Sequence, residues 1–463
     1  MRRSAVMSTG PNNTNLPEDP AAEFAPPETG TTEGRRTIRK AIAASAIGNA
    51  TEWFDYGVYA VAVTYITANF FPGGTVFALA TFAISFLVRP LGGLVWGPLG
   101  DRIGRKAILA LTIILMAGAT FAIGLLPTYD AIGIWAPILL ILMRLIQGFS
   151  TGGEYGGAAT FMAEYSPDKK RGFFGSFLEF GTLGGFVLGT AVVLALQLLL
   201  GEDTMTEWGW RIPFLLAGPL GLIGVYLRSK LEDSPVFREV EEQHEMEPSA
   251  RSGLRELFAH YWRPLVSMAG LVIALNVANY TLISYMPTYL ETQIGLDASA
   301  SLALILVGEL VMMALIPFAG RLSDRVGRKP MWRVSVVGLF IGAIPLYLLM
   351  GTGFLGALVG FAILGVLYVL QLSTISATFP AMFPTQVRFA GFAITYNVAT
   401  ALFGGTAPLV NEALIQSTGN LLIPAFYMMA ACAVGFVALL FVPETAGASL
   451  RGTDIPRQEE PTS

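Results

Sequence analysis

The sequence predicts an all-α integral membrane protein, with twelve transmembrane helices in two pseudo-symmetric six-helix bundles. Three observations carry that fold class. The first is composition: 53% of the 463 residues are hydrophobic and 13% are charged, against about 25% charged in ordinary soluble domains. The second is a succession of twelve apolar stretches, each able to supply the roughly 20 residues that cross a bilayer. The third is a charged motif that occurs twice. Gly97–Lys106 reads GPLGDRIGRK and Gly320–Lys329 reads GRLSDRVGRK, each between two apolar stretches and about half a chain apart. A repeat of that period implies two homologous halves.

Residues 1–34 are rich in Pro, Glu, Thr, Asn and Gly. They cannot bury a core, so a disordered tail is expected, and the apolar core of a signal peptide is absent from it. Spans are expected over 41–70, 76–98, 107–126, 133–163, 172–200 and 211–229, which sets the first bundle at 35–230. The second bundle, 261–443, takes spans over 262–290, 299–319, 331–350, 354–380, 388–415 and 420–442. Several exceed 20 residues, so tilt or extension into water is expected. Residues 231–260 form an acidic linker carrying Glu239, Glu241, Glu242, Glu245 and Glu247, too short for a catalytic domain. Residues 444–463 read as a short polar tail without heptads.

Lysine and arginine set the orientation. They crowd into alternate loops: Arg102, Arg105 and Lys106; Lys169, Lys170 and Arg171; the linker; Arg321, Arg325, Arg328 and Lys329; then Arg388. The intervening loops PGG, PTYDAIG, GEDTMTEWGW, ETQIGLDAS, GTG and QSTGN hold neither residue. A multi-pass plasma-membrane protein with both termini in the cytoplasm is expected. A net charge of −4 points to no nucleic-acid partner. The lone Cys432 excludes an intrachain disulfide and a cysteine metal site. His244 and His260 fall in or beside the linker, which argues against a buried histidine relay. No nucleophile–base pair or metal cluster falls in the spans, so neither an enzyme nor a cofactor or metal is expected. The expected partners are the lipid bilayer, a small solute and a proton, bound by a chain that works as a monomer.

The duplicated motif must lie in water, because Asp, Arg and Lys do not sit in hydrocarbon. Gly104 and Gly327 allow a sharp bend, and Gly97 and Gly320 allow helix ends to approach closely. Asp101 and Asp324 are placed to pair with arginine or to cap a helix of the other half. A topogenic basic loop would need one such motif. Two at matched positions favour gating loops, built from Gly97, Asp101, Arg102, Arg105, Gly320, Asp324, Arg325 and Arg328.

Ionisable residues inside spans are costly and therefore informative. In span one Asn49, Glu52, Trp53 and Tyr56 fall on one helical face, with Asp55 and Tyr59 beside it. About a dozen residues separate Arg39 from Glu52, roughly 20 Å of helix, so the stripe lies mid-membrane. Span four carries Arg144, Gln147, Thr151, Glu154 and Tyr155, with Gly148, Gly152 and Gly156 spaced for close helix contact. Arg144 keeps its charge and calls for a carboxylate, from Glu52, Asp55, Glu154 or Glu179. In the second half Asn276, Asn279 and Tyr280 share a face of span seven, and each residue there is by itself interhelical glue as readily as a ligand contact. Glu309 is a lone acid in span eight.

Longer strings narrow the family: GNATEWFDYGVYA (48–60), FLVRPLGG (86–93), GIWAPILLILMRLIQGFSTGGEYGGA (133–158), AEYSPDKKRGF (163–173), EWGWRIPF (207–214) and PAMFPTQVR (380–388). With the duplicated motif, they resemble the metabolite:proton symporter family of the major facilitator superfamily, over about 40–445. They are most like its osmoregulatory members that carry proline and glycine betaine. The resemblance implies alternating access to a central cavity and inverted repeats within each half. The sequence departs from those members in lacking a C-terminal coiled coil, in Glu179 where they carry aspartate, and in Arg144 where they carry lysine.

The expected function is proton symport of a small zwitterion: glycine betaine, proline or ectoine. Glu52, Asp55, Arg144 and Glu154 are the candidates for proton coupling. Trp53, Tyr56, Tyr59 and Tyr280 would offer ring faces to an ammonium, and Arg144, Asn276 and Asn279 would meet a carboxylate. Proton symport of a carboxylate such as citrate, 2-oxoglutarate or shikimate is the alternative, and would call for more cavity cations. A membrane osmosensor, the alternative of another class, would want an output domain.

Overall fold

Backbone in hydrocarbon must satisfy its own hydrogen bonds, and each expected span is helical. The computed structural model of the protein describes residues 32–103, 105–152, 154–232 and 257–450. Helix α1 runs over Thr32–Val61 and continues as Val63–Phe70; α2 is Thr75–Ile103 and α3 Arg105–Leu125. Helix α4 is Trp135–Ser150 continued by Glu154–Tyr165, followed by α5 (Arg171–Leu200) and α6 (Arg211–Glu232). In the second half α7 is Trp262–Asn279, a π turn over Tyr280–Tyr285 and then Met286–Thr292. Next come α8 (Ala298–Val326), α9 (Arg328–Met350) and α10 (Phe354–Leu372, then Ile375–Thr378). Helix α11 is Arg388–Ala399, a π turn over Thr400–Gly404 and Ala407–Thr418; α12 is Ile423–Leu440. No strand occurs among the described residues.

The packing repeats with a shift of six helices. In the first bundle α1 packs on α5 and α6, α2 on α4, and α3 on α4 and α6. In the second α7 packs on α11 and α12, α8 on α10, and α9 on α12. The seams between bundles are α5 against α8 and α2 against α11, which the same shift interchanges. Helices α1, α4, α7 and α10, every third helix, are interrupted along their length, and α11 is as well, by its π turn over Thr400–Gly404. Broken backbone is tolerated at membrane depth where protein surrounds it.

Among the described residues nine helices pass a test of length and apolarity for crossing a membrane, or ten with the bent pair Glu202–Gly209 and Arg211–Tyr226 as one span. The other two are α3, apolar over the shorter Ala110–Leu125, and α1. Helix α1 has the length, but Asn49, Glu52 and Asp55 make it too polar.

Helix α1 starts at Thr32, ahead of the span expected from 41. The stretch expected as a short polar tail is pinned down as far as residue 450. Glu444 accepts hydrogen bonds from the Arg328 and Lys329 amides at the start of α9 (2.9 and 3.0 Å). Arg171 of the first half donates to the Ala448 carbonyl (3.0 Å), and Arg388 of the second to that of Leu450 (2.6 Å). The expectations for residues 1–31, for most of the linker and for 451–463 lie outside the described residues.

Candidate substrate and proton site

Glycines bring α2 and α4 together, and that contact sets the site. A methyl group on Gly148 would lie 1.8 Å from the Ser85 carbonyl oxygen, one on Gly152 2.2 Å from that of Arg89, and one on Gly92 1.9 Å from that of Phe149. Of the spacing expected to give close contact, Gly148 and Gly152 meet α2, and Gly156 meets Ala393 of α11, where a methyl would lie 3.0 Å from its Cβ. The contact with α2 carries Arg89 into the interior against α1.

There Arg89 and Glu52 form a buried ion pair at 3.0 Å. The Arg89 Nε donates to Thr151 Oγ1 (3.0 Å) at the break of α4, and Tyr56 shares that hydroxyl at 3.1 Å. The guanidinium lies 5.4 Å from the Tyr56 ring centre and 5.8 Å from that of Trp53. Arg144 is also buried. It was expected to meet a carboxylate, and its described partners are otherwise: Gln147 Oε1 (2.8 Å), Ser85 Oγ (2.9 Å) and the faces of Tyr59 and Tyr56 (4.2 and 5.5 Å). Packing explains this. The α2–α4 contact places Arg89 beside Glu52 and leaves Arg144 among hydroxyls, amides and rings. Asp55 connects to Arg144 through a chain: Thr120 Oγ1 lies 2.8 Å from Asp55, Gln147 Nε2 donates to Thr120 at 2.6 Å, and Gln147 holds Arg144. A cleft of about 20 Å³ between α1, α3, α4 and α6 touches Glu52, Asp55, Ser150 and Thr151. It has room for about one water.

The second half meets this cluster through rings. Tyr280 packs edge-on against Phe86 of α2 at 5.1 Å, and its hydroxyl has no partner. Asn276 donates to Thr400 (2.9 Å) and Asn279 accepts from Tyr368 (2.8 Å), so both amides tie α7 to its own bundle. Nearer the face bearing the basic loops, Glu179 of α5 accepts from the Tyr155 hydroxyl. Tyr155 stacks on Tyr396 of α11 at 4.5 Å.

The basic face is latched. Asp324 caps α5 across the bundle boundary, accepting from the amides of Gly172 (2.8 Å) and Phe173 (2.9 Å), and binds Arg328 at 2.8 Å. Both expected roles of this aspartate are thus met. A methyl on Gly320 would lie 2.5 Å from the Gly172 carbonyl oxygen, the close approach expected of that glycine. Glu164 of α4 pairs with Arg388 of α11 at 2.7 Å. Arg325 is exposed. The side chains of Asp101, Arg102, Arg105 and Glu154, with Gly97, lie outside what is described.

Residues 45–408 match the profile of the Major Facilitator Superfamily. The chain belongs to the Major Facilitator Superfamily. Three similar proteins are named as transporters. A glycine betaine/proline/ectoine/pipecolic acid transporter of Dickeya dadantii is 45% identical over 429 residues, 90% of this chain and 85% of the relative. A proline/betaine transporter of Escherichia coli is 44% identical over 431 residues, with 90% and 85% covered. An ectoine/proline transporter of Corynebacterium glutamicum is 44% identical over 435 residues, with 90% and 86% covered. The protein is therefore a multi-pass membrane transporter of the superfamily and not an enzyme. The fold is similar to that of a proton:xylose symporter of the superfamily bound to 6-bromo-6-deoxy-D-glucose, with TM-score 0.68, 18% identity, and 90% of this chain and 98% of the other covered. The xylose transporter of E. coli in a partially occluded inward-open form gives 0.67 at 18% identity, over 89% and 100% of the two chains.

Of the predicted stripe of α1, Glu52, Asp55, Tyr56 and Tyr59 lie around Arg89 and Arg144, whereas Asn49 donates to Leu178 and Thr182 of α5. Two components escaped sequence reasoning as site residues. Arg89 was not set against Glu52, and the pairing of Tyr155 with Glu179 joins helices whose contact no spacing shows. A count of buried charges per span, with Arg89 set against Glu52, was the available signal for the first.

Proposed function

We propose that this transporter moves a small zwitterion, glycine betaine, proline or ectoine, together with a proton, across the plasma membrane. The relatives' substrates support the solute class. The observation that carries the reading is the dipolar interior. Arg144 has no carboxylate among its described hydrogen-bond partners, and its Nε is unpartnered. Glu179, bonded by Tyr155, which stacks on Tyr396, forms the opposite pole. A carboxylate fits the first and an ammonium the second, where ring faces add about 0.5–2 kcal/mol each. The faces of Trp53, Tyr56 and Tyr59 already carry Arg89 and Arg144 in this state. An ammonium reaches them only as those guanidiniums turn to a substrate carboxylate.

The proton falls to Asp55 and Glu52, the carboxylates that touch the water-sized cleft. Asp55 has a hydroxyl partner and Glu52 an arginine, so Asp55 can change charge without stranding a cation. The basic face is read as cytoplasmic, which makes this state closed toward the cytoplasm, with both termini on that side. One chain contains both bundles and both poles, so a monomer suffices.

Uptake of labelled betaine, proline, ectoine, citrate and 2-oxoglutarate into vesicles under an imposed pH gradient tests the reading. The zwitterions should accumulate and citrate should not compete with betaine. Asp55→Asn should lose uphill accumulation yet keep downhill exchange. Accumulation of citrate, or undiminished uphill uptake by both Asp55→Asn and Glu52→Gln, would overturn it.

A further inference from the structure

We propose that Glu309 is a second proton-binding site of the transporter, set in the seam between the bundles and neutral whenever that seam is closed as it is here. This goes beyond the proton reading above, which concerns α1, and does not depend on which solute is carried.

Helices α5 and α8 run antiparallel along the boundary. Gly320 touches Gly172 and Ser176 near the basic face, Met313 lies beside Gly184 further in, and Glu309 comes opposite Thr190. Ala298 begins α8, so Glu309 lies about 16 Å along it from the opposite face. Glu309 is fully buried, and neither carboxylate oxygen has a hydrogen-bond partner; the Thr190 hydroxyl has none either. From α10, Phe361 fills the space against the neighbouring Gly308, where a methyl would lie 2.2 Å from the ring. Thr190 is the polar group that faces Glu309 from α5. Among the described residues no titratable or charged group of α5, α8 or α10 does so.

An ionised carboxylate buried in the seam, with no cation facing it among the described residues and only the Thr190 hydroxyl opposite, is the form this seam tolerates least. The neutral acid carries its own O–H, which a small rotation brings to Thr190 Oγ1. Alternating access rocks one bundle against the other. That motion parts α5 from α8 and admits water, and there the carboxyl can release its proton. A group neutral in one arrangement and free to ionise in the other shifts the balance between them as proton activity changes. The described partners of Glu52 and Asp55, Arg89 and Thr120, come from α2 and α3 and not from α8, so the two sites are separate.

Cysteines in place of Leu199 at the end of α5 and Ser299 at the start of α8, in a Cys432→Ala background, carry spin labels that report the width of the seam. The measurement uses the full chain in liposomes, without substrate or gradient, over about pH 5 to 9, the range in which a buried carboxyl can titrate. Its failure is therefore distinct from failure of the zwitterion reading. The short-distance population should dominate at acid pH and fall as pH rises. Glu309→Gln should stay closed at every pH, and Glu309→Asp should keep the pH dependence. Glu309→Met, neutral and of similar length, serves if the glutamine variant does not assemble. A neutral variant that follows the parent's pH profile, or a parent distance that does not move with pH, overturns the proposal.

Discussion

At the residue scale the interior is governed by Arg89, which Glu52, Thr151 and three ring faces hold at once. Removing one member of a buried pair strands the other, at a cost of about 3–5 kcal/mol, whereas replacing both by neutral groups is far better tolerated. Arg89→Ala should therefore lower the melting temperature in detergent much more than the double variant Arg89→Gln with Glu52→Gln. Equal losses would show that the pair contributes little. Helical spacing made Glu52, Trp53 and Tyr56 legible in the sequence as one stripe, and Asp55 as its neighbour. It could not show which arginine faces the stripe. Arg89 is the one cation of the span 76–98 and Arg144 that of 133–163, and the choice between them is made by how closely α2 approaches α4.

Elements show the same division. Where a methyl on Gly148 would lie 1.8 Å from a backbone oxygen of α2, Gly148→Ala must push the helices apart and move Arg89. Overpacking of this kind typically costs about 1–3 kcal/mol, and uptake per assembled molecule should fall at least tenfold. Gly118→Ala in α3 is the control: its added methyl meets nothing within 4 Å, and the exchange should be neutral or stabilising by up to about 1 kcal/mol. Normal uptake by Gly148→Ala would remove the packing argument. The small-residue spacing of α4 was visible as a sequence pattern, as were all twelve apolar stretches. The breaks at Ala62, Thr151–Gly152, Tyr280–Tyr285 and Ser373–Thr374 were not. Hydropathy averages over a window and does not register a π turn or a lost hydrogen bond, although the excess length of several spans hinted at them.

For the whole molecule, the latch on the basic face joins the halves through Asp324, Glu164–Arg388 and the stretch ending at Leu450. Hydrogen bonds to a charged group contribute about 1.5–3 kcal/mol. Asp324→Ala should therefore shift the two access states by roughly tenfold or more. A cysteine replacing Ser376, which packs on Gly175 across the boundary, should react faster with an alkylating reagent from the basic side. An unchanged rate would reduce the latch to a structural contact. The duplicated motif announced this latch, since one aspartate was expected to cap a helix of the other half. The closing stretch was invisible, because VPETAGASL has no periodicity, and its anchors are the Glu444 carboxylate at the start of α9 and backbone carbonyls held by distant arginines. The polarity of α1 reaches back to the making of the protein. A helix that fails the apolarity test among otherwise apolar neighbours is a poor candidate to leave the translocon by itself. The cation that neutralises Glu52 arrives only with α2, so α1 and α2 should enter the lipid together as a hairpin. Ribosome-stalled chains ending before Arg89 should then leave α1 extractable by carbonate, and chains that include α2 should not.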